Sequence, residues 1–258
     1  MSDTLKLERT GHTAVLYLDN PPANTFTRDN LVALKQLLHQ LAAEGDIYAL
    51  VITGSGSKFF SAGADLKQFA SGDKALAQTL AILFGEAFEA LSAFRGLTIA
   101  AINGYAMGGG LECALACDLR IAEEQALLAL PEASVGLLPC AGGTQNLPWL
   151  VGEGWAKRMV LCGERVDAAT ALRIGLIEQM VPTGQALAAA MKLAEQAARQ
   201  SPTSLIACKT LIQSGRHHPI ASNLVREREA FARLFDSENQ REGVNAFLEK
   251  RSPQWKKA

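Results

Sequence analysis

An α/β fold with largely parallel strand pairing and a helical C-terminal third is predicted by three features of this chain. Short, almost wholly apolar runs suit buried strands, amphipathic helical periods lie between them, and only helical periodicity persists after Gly154. Thr13–Leu18 (T-A-V-L-Y-L) reads as a strand ended by Asp19-Asn20-Pro21-Pro22. From Arg28 to about Ala43, Leu31, Leu34, Leu37, Leu38 and Leu41 recur at helical spacing, and Thr27 stands where a hydroxyl caps the first free amides. Tyr48–Thr53 is an apolar strand closed by Gly54-Ser55-Gly56, and Leu76–Phe94 is a second amphipathic helix. Thr98–Asn103 is a buried strand running into the glycine-rich segment Gly104–Gly110 and then a helix to about Cys117. Leu119–Ala122 and Ala126–Leu130 read as short strands. Helices follow at Trp155–Cys162, Ala168–Ile174, Leu187–Gln200, Thr203–Gln213, Ile220–Phe235 and Glu238–Lys250.

Composition narrows the function classes. The chain has 258 residues, 48% hydrophobic and 20% charged, enough apolar material for a sizeable core. With 25 basic and 26 acidic residues the formal net charge is −1, so no global field favours nucleic acid or an acidic membrane. Met1–Gly11 mixes charges with single leucines, unlike a secretory signal, and the stretches Gly96–Leu111, uncharged, and Ala126–Gly152, charged only at Glu132, are broken by Gly, Pro, Asn or Gln, unlike a membrane span. The five cysteines form no CxxC pair and no ligand pattern with the four histidines. Reduced thiols in a cytoplasmic protein without a metal site are the expectation.

Isolation of charge is the most informative signal. Between Arg95 and Asp118 the one ionisable acid is Glu112, and between Glu124 and Glu153 the one charged residue is Glu132. A carboxylate in such surroundings is desolvated and its pKa tends upward, which is how general acids and bases are tuned. Either glutamate alone is equally well read as a solvated helix end. Two such singletons, each beside a Gly- or Pro-rich turn, point to a shared site.

Two segments lack bulk where a ligand would need the main chain. Gly104–Gly110 is a strand-to-helix turn whose last three positions are glycine, and its helix N-terminus favours negative charge. It is neither a dinucleotide fingerprint nor a phosphate loop. Ser61-Ala62-Gly63-Ala64-Asp65-Leu66-Lys67 is the second segment, with Asp65 placed to cap a turn and Lys67 either a surface lysine or a phosphate contact.

Taken together, these segments resemble the enoyl-CoA hydratase/isomerase (crotonase) family. The resemblance runs through A-N-T-F near residue 23, F-F-S-A-G-A-D-L-K at 59–67, N-G-Y-A-M-G-G-G-L-E at 103–112, A-C-D-L-R-I-A at 116–122 and L-P-E-A-S-V-G-L-L-P-C-A-G-G-T-Q at 130–145. It continues through G-L-I-E-Q-M-V-P at 175–182 to A-F-L-E-K-R at 246–251. It implies a crotonase-like spiral of β-β-α turns over residues 1–195 and a helical C-terminal region, 196–258, serving oligomerisation and covering the site. It further implies a homotrimer or dimer of trimers and no cofactor, since coenzyme A is part of the acyl-CoA thioester substrate.

The same resemblance places an oxyanion hole at the backbone N–H groups of Ala64 and Gly109. Glu112 and Glu132 become the pair that hydrates a 2-enoyl thioester, Glu132 the acid/base at C2 and Glu112 the water-activating partner. Coenzyme A is expected across Ala62, Ala64, Asp65, Leu66 and Lys67 and near Gly109, with Phe247 and Lys250 as C-terminal contacts reached from a neighbouring subunit. Leu80, Leu83 and Phe84 are candidate walls for the acyl chain, although core packing explains their period equally well. The chain departs from the family at Cys140, where glycine is usual, and at Asn146 and Trp149, where basic residues are common.

Three rivals stand beside hydration. One is another reaction of the family, such as enoyl-CoA isomerisation or hydration of a branched or dicarboxylic acyl-CoA. A second is RNA binding, which needs a lysine-rich helix that Arg28–Glu44 lacks. The third is a serine hydrolase using Ser61 or Ser134, for which neither G-x-S-x-G nor a suitably placed histidine exists.

Overall fold

The computed structural model describes residues 4–257. Its frame is a six-stranded sheet in which β1 (Leu5–Thr10) pairs antiparallel with β2 (Thr13–Leu18), and β2, β3 (Ala49–Gly54), β5 (Leu97–Ile102), β7 (Leu119–Glu123) and β10 (Gln179–Val181) then run parallel. The inner strands are mostly apolar because both faces are covered, with Thr53, Thr98, Arg120 and Glu123 as buried exceptions. Leu16, Leu50, Ile52 and Ile102 face the core shared with α1 (Arg28–Glu44) and α2 (Lys74–Ser92). Their neighbours Val15, Val51, Ile99 and Ile121 face α6 (Ala186–Ala198), which offers Ala186, Ala190 and Ala194.

A second, four-stranded sheet lies in the order β4 (Phe59–Ser61), β6 (Tyr105–Met107), β8 (Leu127–Ala129) and β9 (Val166–Asp167). The chain therefore alternates between sheets and returns through a helix: β3 to β4 to α2, β5 to β6 to α3 (Gly109–Ala116), β7 to β8 to α4 (Gly143–Leu161). These are the β-β-α turns of the expected spiral. Each turn brings one short strand end of the second sheet beside the next, and the site is built there.

Local chemistry sets the elements. Thr27 and Asn30 form a reciprocal cap at the start of α1, the Thr27 side chain accepting from the Asn30 N–H while the Asn30 side chain accepts from the Thr27 N–H, and α1 ends at a left-handed Gly45. The Asp73 carboxylate takes the N–H groups of Ala75 and Leu76 to start α2. By length and composition α2 resembles a membrane span, yet Leu80, Phe84, Ala87, Phe88 and Leu91 are buried against the protein's own core. α4 carries a break at Gly152 (φ 74°, ψ 162°), so the expected helix from Trp155 is its second half. β1 escaped sequence reading because its alternation, Leu5-Lys6-Leu7-Glu8, is short and stops at Arg9, with the charges common on an edge strand.

The last third is helical, as expected. α5 (Ala168–Arg173) precedes β10, and α7 (Pro202–Ser214) is tied to the sheet by Lys209, whose Nζ donates to Asp118 Oδ2 at 2.7 Å and to the Gly96 carbonyl at 2.9 Å. α8 (Ile220–Leu234) packs on α7 but buries no residue fully, leaving Phe231 and Phe235 edge-on at 5.5 Å on its surface. α9 (Glu238–Leu248) is clasped by the C-terminal tail, with the Asn239 side chain bonding the Lys256 main chain.

Candidate active site

A cavity of about 310 Å³ opens where the second sheet ends, and both isolated glutamates line it together with Ala62, Ala64, Gly109 and Cys140. Glu112 projects from α3 and is only 2% exposed. Its Oε1 accepts the N–H groups of Ala141 at 2.8 Å and Gly143 at 2.9 Å. Gly143 is required at that approach, because an added Cβ would stand 3.0 Å from Glu112 Oε1 and 2.8 Å from Pro139 Cβ. Burial raises the Glu112 pKa, and the amides of Gly143, Ala141 and Cys140 pull against that rise.

Glu132 opens a one-turn helix, Glu132–Val135, directly after Pro131. The residue is half-buried, yet both carboxyl oxygens are shielded from solvent and have no hydrogen-bond partner among the described residues. Its pKa is pushed up to about 7, chiefly by burial and further by the Glu112 charge, with only its own backbone amide opposing. One carboxyl is thus held by main-chain donors that favour its charged form. The other is left in surroundings that favour its protonated form.

The main chain supplies the second half of the site. Phe26 N–H donates to the Gly63 carbonyl and Asp65 N–H donates to the Phe26 carbonyl, a parallel bridge that turns Ala64's own N–H the other way. Gly109 is the first residue of α3, so its N–H has no partner within the helix. Neither N–H donates to an acceptor among the described residues. The two segments lie in close contact: a Cβ on Gly63 would sit 2.9 Å from Gly109 N, and one on Gly110 would sit 2.2 Å from the Ser61 carbonyl oxygen. Gly63 itself has φ +86°, open to glycine at no cost. Two unpaired donors beside two carboxyls can hold a carbonyl oxygen as it gains negative charge while protons move nearby.

Of the residues singled out from sequence, Glu112, Glu132, Ala62, Ala64, Leu66 and Gly109 line this cavity. Asp65 caps the adjacent turn by accepting the Lys67 N–H at 3.1 Å, and Lys67 is exposed on that turn. Phe247, 83% exposed, and Lys250, at φ 55°, lie at the end of α9 and do not line the cavity of their own chain. Among the acyl-wall candidates only Phe84 reaches the cavity; Leu80 is enclosed in the core and Leu83 packs against it, because the α2 period also serves the interface with α1.

Sequence reading overlooked the amides of Ala141 and Gly143, which no side-chain pattern advertises, and the structural role of A-N-T-F, whose backbone pairs with residues 62–65. It also overlooked the apolar rim of Val135, Leu137 and Leu138, legible only as a run of exposed hydrophobics once the turn is placed. The hydrolase rival finds its serines engaged: Ser61 Oγ donates to the Asn24 carbonyl and Ser134 Oγ to the Pro131 carbonyl, with no histidine in the lining. On α1, Lys35 is paired with Glu86 at 3.0 Å rather than presented as part of a basic face.

Comparison with known proteins bears on the family. The family model for enoyl-CoA hydratase/isomerase matches residues 8–258. The chain is 39% identical over 253 residues to 2,3-dehydroadipyl-CoA hydratase of Escherichia coli, covering 98% of both proteins. It is 34% identical over 246 residues to short-chain-enoyl-CoA hydratase of Clostridium acetobutylicum, covering 95% of this chain and 94% of that one. A solved structure of Pseudomonas aeruginosa DspI superposes with a TM-score of 0.97 at 64% identity, covering 99% of this chain and 97% of the other.

Proposed function

The chain belongs to the enoyl-CoA hydratase/isomerase family, and from that premise we propose that it catalyses reversible syn addition of water to a 2-trans-enoyl-CoA, giving the 3-hydroxyacyl-CoA. One observation carries the proposal: two carboxyls, both raised in pKa by burial but only Glu112 held by main-chain amides, line one cavity beside two main-chain N–H groups with no acceptor among the described residues. Ionised Glu112 removes a proton from water as the oxygen bonds to C3. The C2–C3 π electrons move toward the thioester, whose oxygen gathers charge between the N–H groups of Ala64 and Gly109. Protonated Glu132 then delivers its proton to C2, and the thioester carbonyl re-forms. Removing one comparable donor in other enzymes costs ~3 kcal/mol of transition-state stabilisation. Isomerisation needs one acid/base to move a proton between two carbons, so retention of both glutamates favours hydration.

The pantetheine and nucleotide of coenzyme A are proposed to lie across residues 62–67, with Lys67 near phosphate and Phe247 and Lys250 contributed by a neighbouring subunit of a homotrimer or dimer of trimers. No cofactor takes part in the steps above, and the cytoplasm is the proposed location. The amides that hold Glu112 and the lack of any hydrogen-bond partner for the Glu132 carboxyl among the described residues support the division of roles. Glu112→Gln and Glu132→Gln variants test it, with hydration of crotonyl-CoA followed by loss of conjugated absorbance. Each is expected to lose about 10²–10⁴-fold in turnover while keeping the wild-type fold. Full turnover in either variant removes the two-carboxyl mechanism, and conversion of 3-enoyl-CoA faster than hydration assigns the chain to isomerisation instead.

A further inference from the structure

Three of the four consecutive main-chain N–H groups from Ala62 to Asp65 are already engaged. Ala62 N–H donates to the Ala23 carbonyl at 2.9 Å, and Asp65 N–H donates to the Phe26 carbonyl at 3.1 Å. Gly63 N–H differs because its acceptor is a side chain, the Ser61 hydroxyl, at 3.1 Å. Ala64, which lines the catalytic cavity, keeps its N–H without an acceptor among the described residues. The donor that the site needs is thus singled out by what holds its neighbours.

A serine hydroxyl can give one proton and accept another, and Ser61 does both. While accepting from Gly63 it donates to the Asn24 carbonyl at 2.7 Å, and it is fully buried, so water replaces neither bond. Asn24 is fixed in turn. It is buried and left-handed at φ 52°, a conformation asparagine tolerates better than most side chains. Its Nδ2 donates to the carbonyls of Ser55 at 3.0 Å and Phe59 at 2.9 Å, on the two sides of the turn leading from β3 to β4. Glycine is the residue whose torsions need such restraint most. Both peptide planes flanking Gly63 are held: the one before it through its N–H on Ser61 Oγ, the one after it through its carbonyl, which accepts Phe26 N–H at 2.8 Å. The second of those planes carries the Ala64 N–H.

We propose that Ser61 and Asn24 are positioning residues for the reaction: the Ser61 hydroxyl, anchored by Asn24, locks the backbone at Gly63 and so aims the Ala64 N–H at the thioester oxygen. The inference rests on the acyl-CoA reading of the catalytic site. Neither residue lines the cavity, so both act through the main chain and not by touching substrate. A donor aimed in advance stabilises charge where it develops, and misplacing a group by about 1 Å can cost on the order of 10²-fold in rate. Loss of the hydroxyl therefore falls on the transition state more than on the binding of coenzyme A.

The test compares wild type with Ser61→Ala, Ser61→Cys and Asn24→Gly. Hydration of crotonyl-CoA gives kcat and KM, and infrared difference spectra of bound butyryl-CoA labelled with ¹³C at C1 give the carbonyl stretch. Butyryl-CoA has no double bond to hydrate, and its stretch moves to lower wavenumber as N–H groups polarise the carbonyl. Wild type is expected to show that shift. Ser61→Ala is expected to lose part of it and at least about tenfold in kcat, with KM changed less than about twofold. Ser61→Cys keeps a donor and an acceptor in the same place and regains part of both. Asn24→Gly accepts the left-handed backbone but lacks the amide that ties it to the turn, so it moves both readouts the same way and carries the test should Ser61→Ala not fold. A native carbonyl shift and native kcat in the folded variant, even with a lowered melting temperature, reduce these bonds to support of the fold and overturn the proposal. A wild type that shifts the carbonyl, loses the shift in Ser61→Ala and yet hydrates no enoyl-CoA keeps this inference and overturns the hydratase reading. No shift in wild type overturns both.

Discussion

A carboxyl group shielded from water without a partner, as at Glu132, holds its proton more tightly in the folded protein than in the unfolded chain. Between the ordinary carboxylate range and about 7, the native state therefore binds more protons, and stability falls as pH rises across that window. Because the residue is only half-buried, the loss by pH 8 is discounted to about 1–2 kcal/mol. Urea unfolding at pH 5 and pH 8 measures it: wild type is expected to show the loss and Glu132→Gln to lack it, while an identical pH slope in both would reject the assignment. Rate follows the same titration. Hydration declines above about pH 7 as Glu132 gives up its proton, and declines in acid as Glu112 gains one. Cys140 is pushed up to about 11 by burial and then by the charges of Glu112 and Glu132, so it remains a thiol and does not compete with water for C3. Both glutamates were legible in the sequence because nothing else around them was charged. The difference between them was not, since the counter-pull on Glu112 depends on the main-chain amides of Ala141 and Gly143, which carry no side-chain signature.

Close contact between elements, more than any single side chain, places the donor pair. The N-terminus of α3 abuts β4, with Gly110 against the Ser61 carbonyl oxygen at a distance no Cβ tolerates. Gly110→Ala is expected to push α3 away from β4, costing about 1–3 kcal/mol as overpacking does and separating Gly109 N–H from Ala64 N–H. Thermal unfolding reads the first effect and kcat for crotonyl-CoA the second; a variant with native stability and native kcat would show that the contact is not needed. The long elements were predictable because α1 and the apolar strands β2, β3 and β5 carry their periods locally. The three-residue strands β4 and β6 were hidden, because pairing with their neighbours rather than local propensity creates them, whereas β8 falls inside the strand read at Ala126–Leu130. α2 shows the limit most sharply. Its apolar period announced a buried face, but only the neighbouring helices decide that Phe84 lines the cavity while Leu80 and Leu83 serve the core.

At the scale of the molecule, the spiral encloses its own core, whereas α8 does not: it buries no residue fully, and Ile220, Leu224, Val225, Phe231 and Phe235 are exposed along it. Apolar surface gathered in this way marks an association site. The helical C-terminal region expected from the sequence is present, and its unpartnered face is what a subunit interface of the proposed trimer requires. Burying a residue such as Phe231, 65% exposed in the single chain, contributes about 1.5–3 kcal/mol, so a buried charge in its place opposes assembly strongly. Phe231→Asp is expected to shift sedimentation from a trimer or hexamer to a monomer at micromolar concentration, with the far-UV spectrum unchanged because α8 contributes little to the core of its own chain. Loss of assembly should also raise KM for crotonyl-CoA more than it lowers kcat. Phe247 and Lys250 are proposed to reach coenzyme A from the neighbouring subunit, whereas Glu112, Glu132, Ala64 and Gly109 all come from one chain. A wild-type monomer, or a dissociated variant with unaltered KM, would confine the whole site to a single subunit and leave the apolar face of α8 to another partner.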